Sequence, residues 1–364
     1  MPRETHMNKV IWTAVVLMAL VATTAQAQTT TGQQADLASF TVGVSVGVKA
    51  STTFDPAAQG SGFKPSTTLF EGFAAFKPVG HFGGEVRGMK LSASGNAAGS
   101  SNGGLAIFGS EINRNIVSST PFVTGSQDYT FSQKVDLTKV DLLGNYTWGF
   151  TGGAATIFGG VTFVKGSGNF AGQIRQKFLL PAKLPNGSID PVADGETYTA
   201  TGSASADLSR MGVVVGTDFE KCIFGDTGGR LIVQGRLSAS FFIKGSDDLT
   251  APAFTDSKEI YLLRYADGIN GTPTQRLTTL NLAPNQKAIT ASMSGKGSEI
   301  DGRVEIAYRR PPFEVGGGVV FVNFNGVGAP MFAAPAGQNP GQGSYRIANG
   351  LQTISPVVHV SFWF

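Results

Sequence analysis

Apolar and polar residues alternate along much of this chain with a period of two. Phe40, Val42, Val44, Val46 and Val48 are interleaved with Thr41, Gly43, Ser45, Gly47 and Lys49. Successive side chains of an extended strand point to opposite faces, so this spacing predicts a strand with one oily face and one small, polar face. The pattern recurs where Val140, Leu142, Gly144, Tyr146 and Trp148 oppose Lys139, Asp141, Asn145 and Thr147. Ala155, Ile157, Gly159, Val161 and Phe163 likewise oppose Thr156, Gly160 and Thr162. Leu231, Val233, Gly235, Leu237, Ala239 and Phe241 oppose Gln234, Arg236, Ser238 and Ser240. Ile300, Gly302, Val304, Ile306 and Tyr308 oppose Asp301, Arg303, Glu305 and Arg309. Segments near 66–78, 80–92 and 312–325 alternate less cleanly. The segment near 197–219 loses its phase midway, as a β-bulge would make it do.

Ten strands are predicted, at 37–50, 66–78, 80–92, 128–149, 154–169, 197–219, 229–244, 288–309, 312–325 and 350–364. Four connections are short: Pro78-Val79, 150–153, 220–228 and Arg310-Pro311. The other five are long and rich in Gly, Ser, Asn and Pro. Short and long connections alternate, as in an up-and-down barrel with tight turns at one end and loops at the other. The stretches 93–127, 170–196, 245–287 and 326–349 are expected as polar, exposed loops. Within them Glu259 to Tyr265 is strand-like, and fits either an external hairpin or an extra spanning pair. Of the 17 prolines only Pro356 falls inside a predicted strand. Proline cannot donate to a sheet ladder, so a bulge or a late strand start is expected there.

The N-terminus has the pattern of a secretory signal peptide. Arg3 and Lys9 precede an apolar run from Val10 to Ala22, and Ala25-Gln26-Ala27 supplies small residues at a cleavage site. The expected division is a signal at 1–27 and one barrel domain at 28–364. Beyond the leader no run of 18 apolar residues occurs, and only helices and closed barrels satisfy every backbone group in lipid. The expected fold is therefore an all-β, transmembrane, antiparallel up-and-down β-barrel of about 10 strands, with eight or twelve as alternatives.

Composition sharpens this. The 49 glycines disfavour helices, and aromatics reach 10%, mostly Phe, of which there are 26. A net charge of +3 with only 15% charged residues excludes a polybasic nucleic-acid binder. Tyr146, Trp148 and Tyr308 are placed outward near one end of the strands, and Phe163, Phe241 and Phe321 outward near the other. Two aromatic girdles of this kind suit the two faces of a membrane.

The chain stops at Val358-His359-Val360-Ser361-Phe362-Trp363-Phe364. Val358, Val360, Phe362 and Phe364 resemble the C-terminal assembly signal of small single-chain bacterial outer-membrane β-barrel proteins; Pro356 departs from the alternation. The resemblance implies an outer-membrane location, outer-membrane lipid as surroundings and the barrel-assembly machinery as a partner during biogenesis. It identifies no subfamily.

Candidate chemistry is sparse. The three histidines are His6, in the leader; His81, after a short turn; and His359, inward near the end of the last strand. Neither of the latter two is placed at the external rim, and a lumen hydrogen-bonding role is expected for His359. Cys222 falls in an expected turn. No metal-ligand spacing, phosphate loop or cofactor motif occurs, so no catalytic residue, metal or cofactor is expected. Asp247, Asp248 and Asp256 are expected as solvated loop charges. The inward set is richer: Glu85, Arg87, Lys139, Asp141, Arg236, Asp301, Arg303 and Glu305 carry both signs. They form either an interlocked filling or a charged constriction. The expected function is non-enzymatic, in surface binding or envelope structure, for a ligand the sequence does not name. The alternative is a narrow passive channel, and an external-face hydrolase comes third.

Overall fold

The computed structural model describes residues 39–47, 50–54, 65–77, 80–101, 123–183, 189–226, 229–252, 255–269, 273–282, 289–327, 330–333, 344–347 and 350–364. The expected signal segment lies outside them. In chain order the strands are β1 (Ser39–Gly47), β2 (Ala50–Phe54), β3 (Ser66–Lys77), β4 (Phe82–Ser101), β5 (Val123–Phe150), β6 (Gly153–Lys183), β7 (Ile189–Asp226) and β8 (Gly229–Ala251). They continue with β9 (Thr255–Ile269), β10 (Pro273–Leu282), β11 (Ile289–Ser294), β12 (Gly297–Arg310), β13 (Phe313–Asn325), β14 (Pro330–Ala333), β15 (Ser344–Ile347) and β16 (Gly350–Trp363). No helix occurs among the described residues.

Antiparallel pairing runs from β1 through β3, β4, β5, β6, β7, β8, β12 and β13 to β16. The ring closes where β16 returns to β1, with Val42 opposite Phe362 and Val44 opposite Val360. β2 carries on from β1 along β16 and β3, and β11 carries on from β12 along β8. The barrel therefore has ten staves, in the order the alternation predicts.

The expected long loops are corrected by the structure. β5, β6 and β7 have 28, 31 and 38 residues. They extend the barrel wall far past the predicted ends, so most of 170–196 is strand rather than loop. Beyond the point where Ser205 pairs with Thr250, β7 exchanges β8 for β9, with Thr201 opposite Thr255 and Asp194 opposite Leu262. β9 pairs back on β10. Glu259 to Tyr265 thus belongs to a hairpin at the end of the barrel away from the short turns and adds no stave to the ring. A smaller hairpin, β14–β15, occupies part of 326–349.

The phase of β7 is also corrected. Its pleat is unbroken from Gly202 to Cys222, with even residues facing in and odd residues facing out. The chemistry of the two faces is what changes. Met211, Val213, Val215 and Phe219 face out toward the short-turn end, and Ser203, Ser205, Asp207 and Ser209 face out further up. Inward, Ala204, Ala206 and Leu208 are buried. Neighbouring strands repeat the inversion. On β5, outward Val140 and Leu142 give way to Thr138, Asp136 and Lys134, while inward Asp141 and Lys139 give way to Leu137 and Val135. Outward Phe163 gives way to Lys165 on β6, and outward Phe321 to Asn323 on β13.

A bulge does occur beside β7, on its neighbour. Met211 pairs with Lys244 and Gly212 with Phe242, which leaves Ile243 as the extra residue of β8. Pro356 sits in β16 opposite Val319 of β13 with no break in that ladder. On its other side the register slips by one residue between Gly47–Val357 and Ser51–Ile354. The missing amide hydrogen therefore falls where the β1–β2 ladder is interrupted, which is how the sheet accommodates the ring.

Candidate functional site

Among the described residues many ionisable groups converge in the lumen, which is layered. At the short-turn mouth lies a pocket of about 410 Å³, lined by Thr41, Phe73, Asn145, Glu220, Arg309 and Trp363 among others. Glu85, Arg87, Arg236, Arg303 and Glu305 line its upper part within the charged layer, and above that layer comes an apolar core.

All eight inward charges expected from the sequence meet in the middle layer. Glu85 accepts from Arg87 at 2.8 Å and from Arg236 at 3.2 Å. Arg236 also reaches Asp218 at 3.2 Å and lies 4.0 Å from the Phe158 ring centre. Arg303 pairs with Glu71 at 2.9 Å and with Glu305 at 2.7 Å, and donates to Ser45. Lys139 faces three carboxylates: Glu299 at 2.6 Å, Asp301 at 3.1 Å and Asp141 at 3.3 Å. Ser238 donates a further hydrogen bond to Asp301. Charges taken out of water this far stay ionised only by pairing, and these strands place opposite signs within reach across the lumen, not only along one strand.

Sequence reasoning missed part of this layer. Glu71, Asp218, Glu220, Glu299 and Glu314 belong to it as well. Asp218 lies on β7, where the inversion hides the alternation, and Glu220 lies where a turn was expected but β7 continues to Asp226. Glu314 and Glu71 lie in segments whose pattern is blurred by Gly.

His359 is held at the floor of the layer. Its Nδ1 is 3.1 Å from Glu305 and its Nε2 is 2.8 Å from Glu314. Gln234 donates to both carboxylates, at 3.0 Å and 3.1 Å. Arg309 forks onto Glu220 at 3.0 and 2.7 Å, pairs with Glu314 at 2.7 Å and stacks on Trp363. Nε2 is hydrogen-bonded to Glu314, while Nδ1 lies at ion-pair distance from Glu305 without a hydrogen-bond partner. His81 is exposed at its turn, with Nδ1 2.8 Å from the Thr147 carbonyl.

Above the charges the lumen carries an apolar layer. Leu69, Leu91, Val135, Leu137, Leu208, Leu249, Phe324 and Leu351 point inward from seven staves and are 0–2% exposed. A continuous water path past them would wet them. Where the two layers meet the wall, Arg210 forks onto Asp247 and donates to the Gly326 carbonyl at 2.9 Å. Asp247 is therefore a buried partner and not the solvated loop charge expected; Asp248 is exposed and accepts from Ser292 at 2.7 Å. Asp256 is described in backbone alone, opposite Ala200 and Leu282. Among the described residues no cluster of His, Cys, Asp and Glu is arranged to hold a metal.

The outer surface carries the aromatic positions. Trp148, Tyr308 and Tyr146 face out near the short-turn ends of their strands, and Phe163, Phe241 and Phe321 face out about where the polarity inverts. Val358, Phe362 and Phe364 are exposed on the outer face of β16, and Val360 shares that face.

No protein-family model matches the chain, and no curated protein matches it. Among solved structures, the outer membrane protease OmpT from Escherichia coli is 9% identical, with 92% of this chain and 99% of that chain covered and a TM-score of 0.39. The transport unit of the autotransporter AIDA-I from Escherichia coli is 10% identical over 95% of this chain and 96% of that chain, with a TM-score of 0.25. The CymD monoaromatic hydrocarbon channel is 8% identical over 94% and 91%, with a TM-score of 0.20. The fold assignment rests on the closed ladder of the chain itself.

Proposed function

We propose that the chain is an integral outer-membrane barrel that conducts no solutes, and that it works through the wall it raises above the membrane. The observation that carries this is the inversion of side-chain chemistry on an unbroken pleat. Toward the short turns the outside is apolar and the inside charged; toward the long strands the outside is polar and the inside apolar. The first half suits hydrocarbon outside, and the second suits water outside. The apolar outward runs Val140–Trp148 and Ile300–Tyr308 span nine residues each, within the 9–11 that a tilted strand needs to cross a bilayer.

In this reading the short turns face the periplasm, the paired charges and apolar core make the lumen a packed interior, and the wall is the surface on which envelope components or external ligands are met. His359, locked between Glu305 and Glu314, supports a non-enzymatic role. Planar-bilayer recording of the purified, folded chain is expected to show no discrete conductance steps. Reproducible steps, altered in ion selectivity by Arg303→Gln, would establish a passage and overturn the closed-lumen reading.

A further inference from the structure

The surface just above the apolar belt is ordered by height. The first outward row above the belt on β4, β5, β6 and β7 runs Lys90, Thr138, Lys165, Ser209, in direct register. Lys90 and Lys165 are exposed and two strands apart, about 10 Å, with the Thr138 hydroxyl between them. Two long ammonium side chains at that spacing converge on one anion. The next row carries Ser92, Asp136 and Ser167. Asp136 is paired with Lys134 at 2.7 Å, accepts from Ser92 and is also held as the carboxylate by Lys90, and exposed Asp207 stands opposite Ser167 in the same row; Lys90, Lys134 and Lys165 together outnumber these two carboxylates.

Higher still, about 13 Å along the strand from Lys90 at ~3.3 Å per residue, the same wall bears a shallow groove of about 550 Å³. Ser94, Asn96, Ser132, Asn169, Ser203 and Ser205 line it together with Lys134, Phe170, Ala171 and Pro252. Hydroxyl and carboxamide groups both donate and accept hydrogen bonds without net charge, which is the chemistry that recognises sugar hydroxyls. Below the lysines, outward Gly72, Gly88 and Val140 begin the apolar belt.

We propose that this face of β4–β7 binds a phosphorylated glycolipid of the outer leaflet. Its acyl chains lie on the belt, its phosphate sits between Lys90 and Lys165, and its saccharide rises along the hydroxyl groove. The vertical order of apolar, cationic and hydroxyl-rich rows matches the order of those three parts. A plain anionic phospholipid would use the first two rows and leave the third empty. The proposal rests on the membrane reading above.

The test uses the full folded chain in phosphatidylcholine nanodiscs doped with a phosphorylated disaccharide glycolipid, the retained lipid being counted by native mass spectrometry. Lys90→Glu with Lys165→Glu is expected to reduce retention about tenfold, since each near-surface cation contributes several-fold. Ser205→Trp, which fills the groove, is expected to reduce glycolipid retention while leaving phosphatidylglycerol retention unchanged. Retention unaffected by the double charge reversal, or phosphatidylglycerol held as well as the glycolipid, overturns the proposal. A chain that inserts and ignores the glycolipid overturns this inference alone; a chain that fails to insert overturns the membrane reading with it.

Discussion

At Gly316 a methyl group would lie 2.7 Å from both His359 Cε1 and the Ala307 side chain. At Gly318 it would lie 2.7 Å from Glu305 Cγ and 2.0 Å from the Val304 carbonyl. These inward glycines are the space that His359 and Glu305 occupy. Outward-facing Gly144 differs, with nothing nearer than 3.9 Å to an added methyl. Gly316→Ala is therefore expected to cost about 1–3 kcal/mol by overpacking, and Gly144→Ala to change stability by less than about 0.5 kcal/mol. Urea unfolding of the refolded chain in lipid distinguishes them. Removing a charge from a buried cluster has a larger effect. Lys139→Met leaves Asp141, Glu299 and Asp301 facing each other in a site where Glu299 is 1% exposed, at an expected cost of about 3–5 kcal/mol. Restoring balance with Glu299→Gln and Asp141→Asn in the same chain should recover much of it. An unaltered midpoint for the single variant would show that the lumen is wetter than its burial implies.

On the proposed membrane reading, a strand that keeps its pleat while its two faces exchange chemistry passes from one solvent to another. β7 shows this within a few residues, and it makes a sharp prediction about accessibility. In a Cys222→Ser background, Ser205→Cys is expected to react on intact cells with a membrane-impermeant maleimide. Val213→Cys, on the same face but in the belt, and Ala206→Cys, inside the apolar core, are expected to stay unlabelled. Labelling of all three would mean that the wall opens; labelling of none would put Ser205 below the surface. The phase at 197–219 was unreadable from pattern because a hydrophobicity alternation reports the environment of each face, not the geometry of the strand. Asp218 was lost from the expected lumen set for that reason, and Glu220 because the short connection was placed at 220–228 while β7 runs on to Asp226.

Closure holds the whole molecule together, and it depends on the pairing of its first and last staves. β16 pairs on one side with β13 and on the other with β1, and the Phe364 amide donates to the Phe40 carbonyl at 2.9 Å. Deleting Phe364 removes both that bond and the last aromatic of the outer face. Heat-modifiable electrophoretic mobility in membrane fractions is expected to show reduced folded barrel, and full recovery of the wild-type band would count against a role for this residue in assembly. The tall β5–β7 wall and the β9–β10 hairpin stand on this ring.

The stave number, the stave order, eight of the inward charges and the outward aromatics were legible in the sequence. Each follows from local alternation, and a period of two needs no partner to be recognised. Glu85, Arg87, Lys139, Asp141, Arg236, Asp301, Arg303 and Glu305 could be placed on one face, but which acid meets which base could not. Arg303 meets Glu71 and Lys139 meets Glu299 across 232 and 160 positions of chain, and only ring closure and register bring such pairs together. The long strands were hidden as loops because above the belt polar residues face out, and a polar outer face with small inward residues looks like a loop when read along the chain. That Ala204, Ala206 and Leu208 form a core with Leu91, Val135 and Phe324 is decided by curvature: a flat sheet would leave them exposed, and a closed one has them fill its interior.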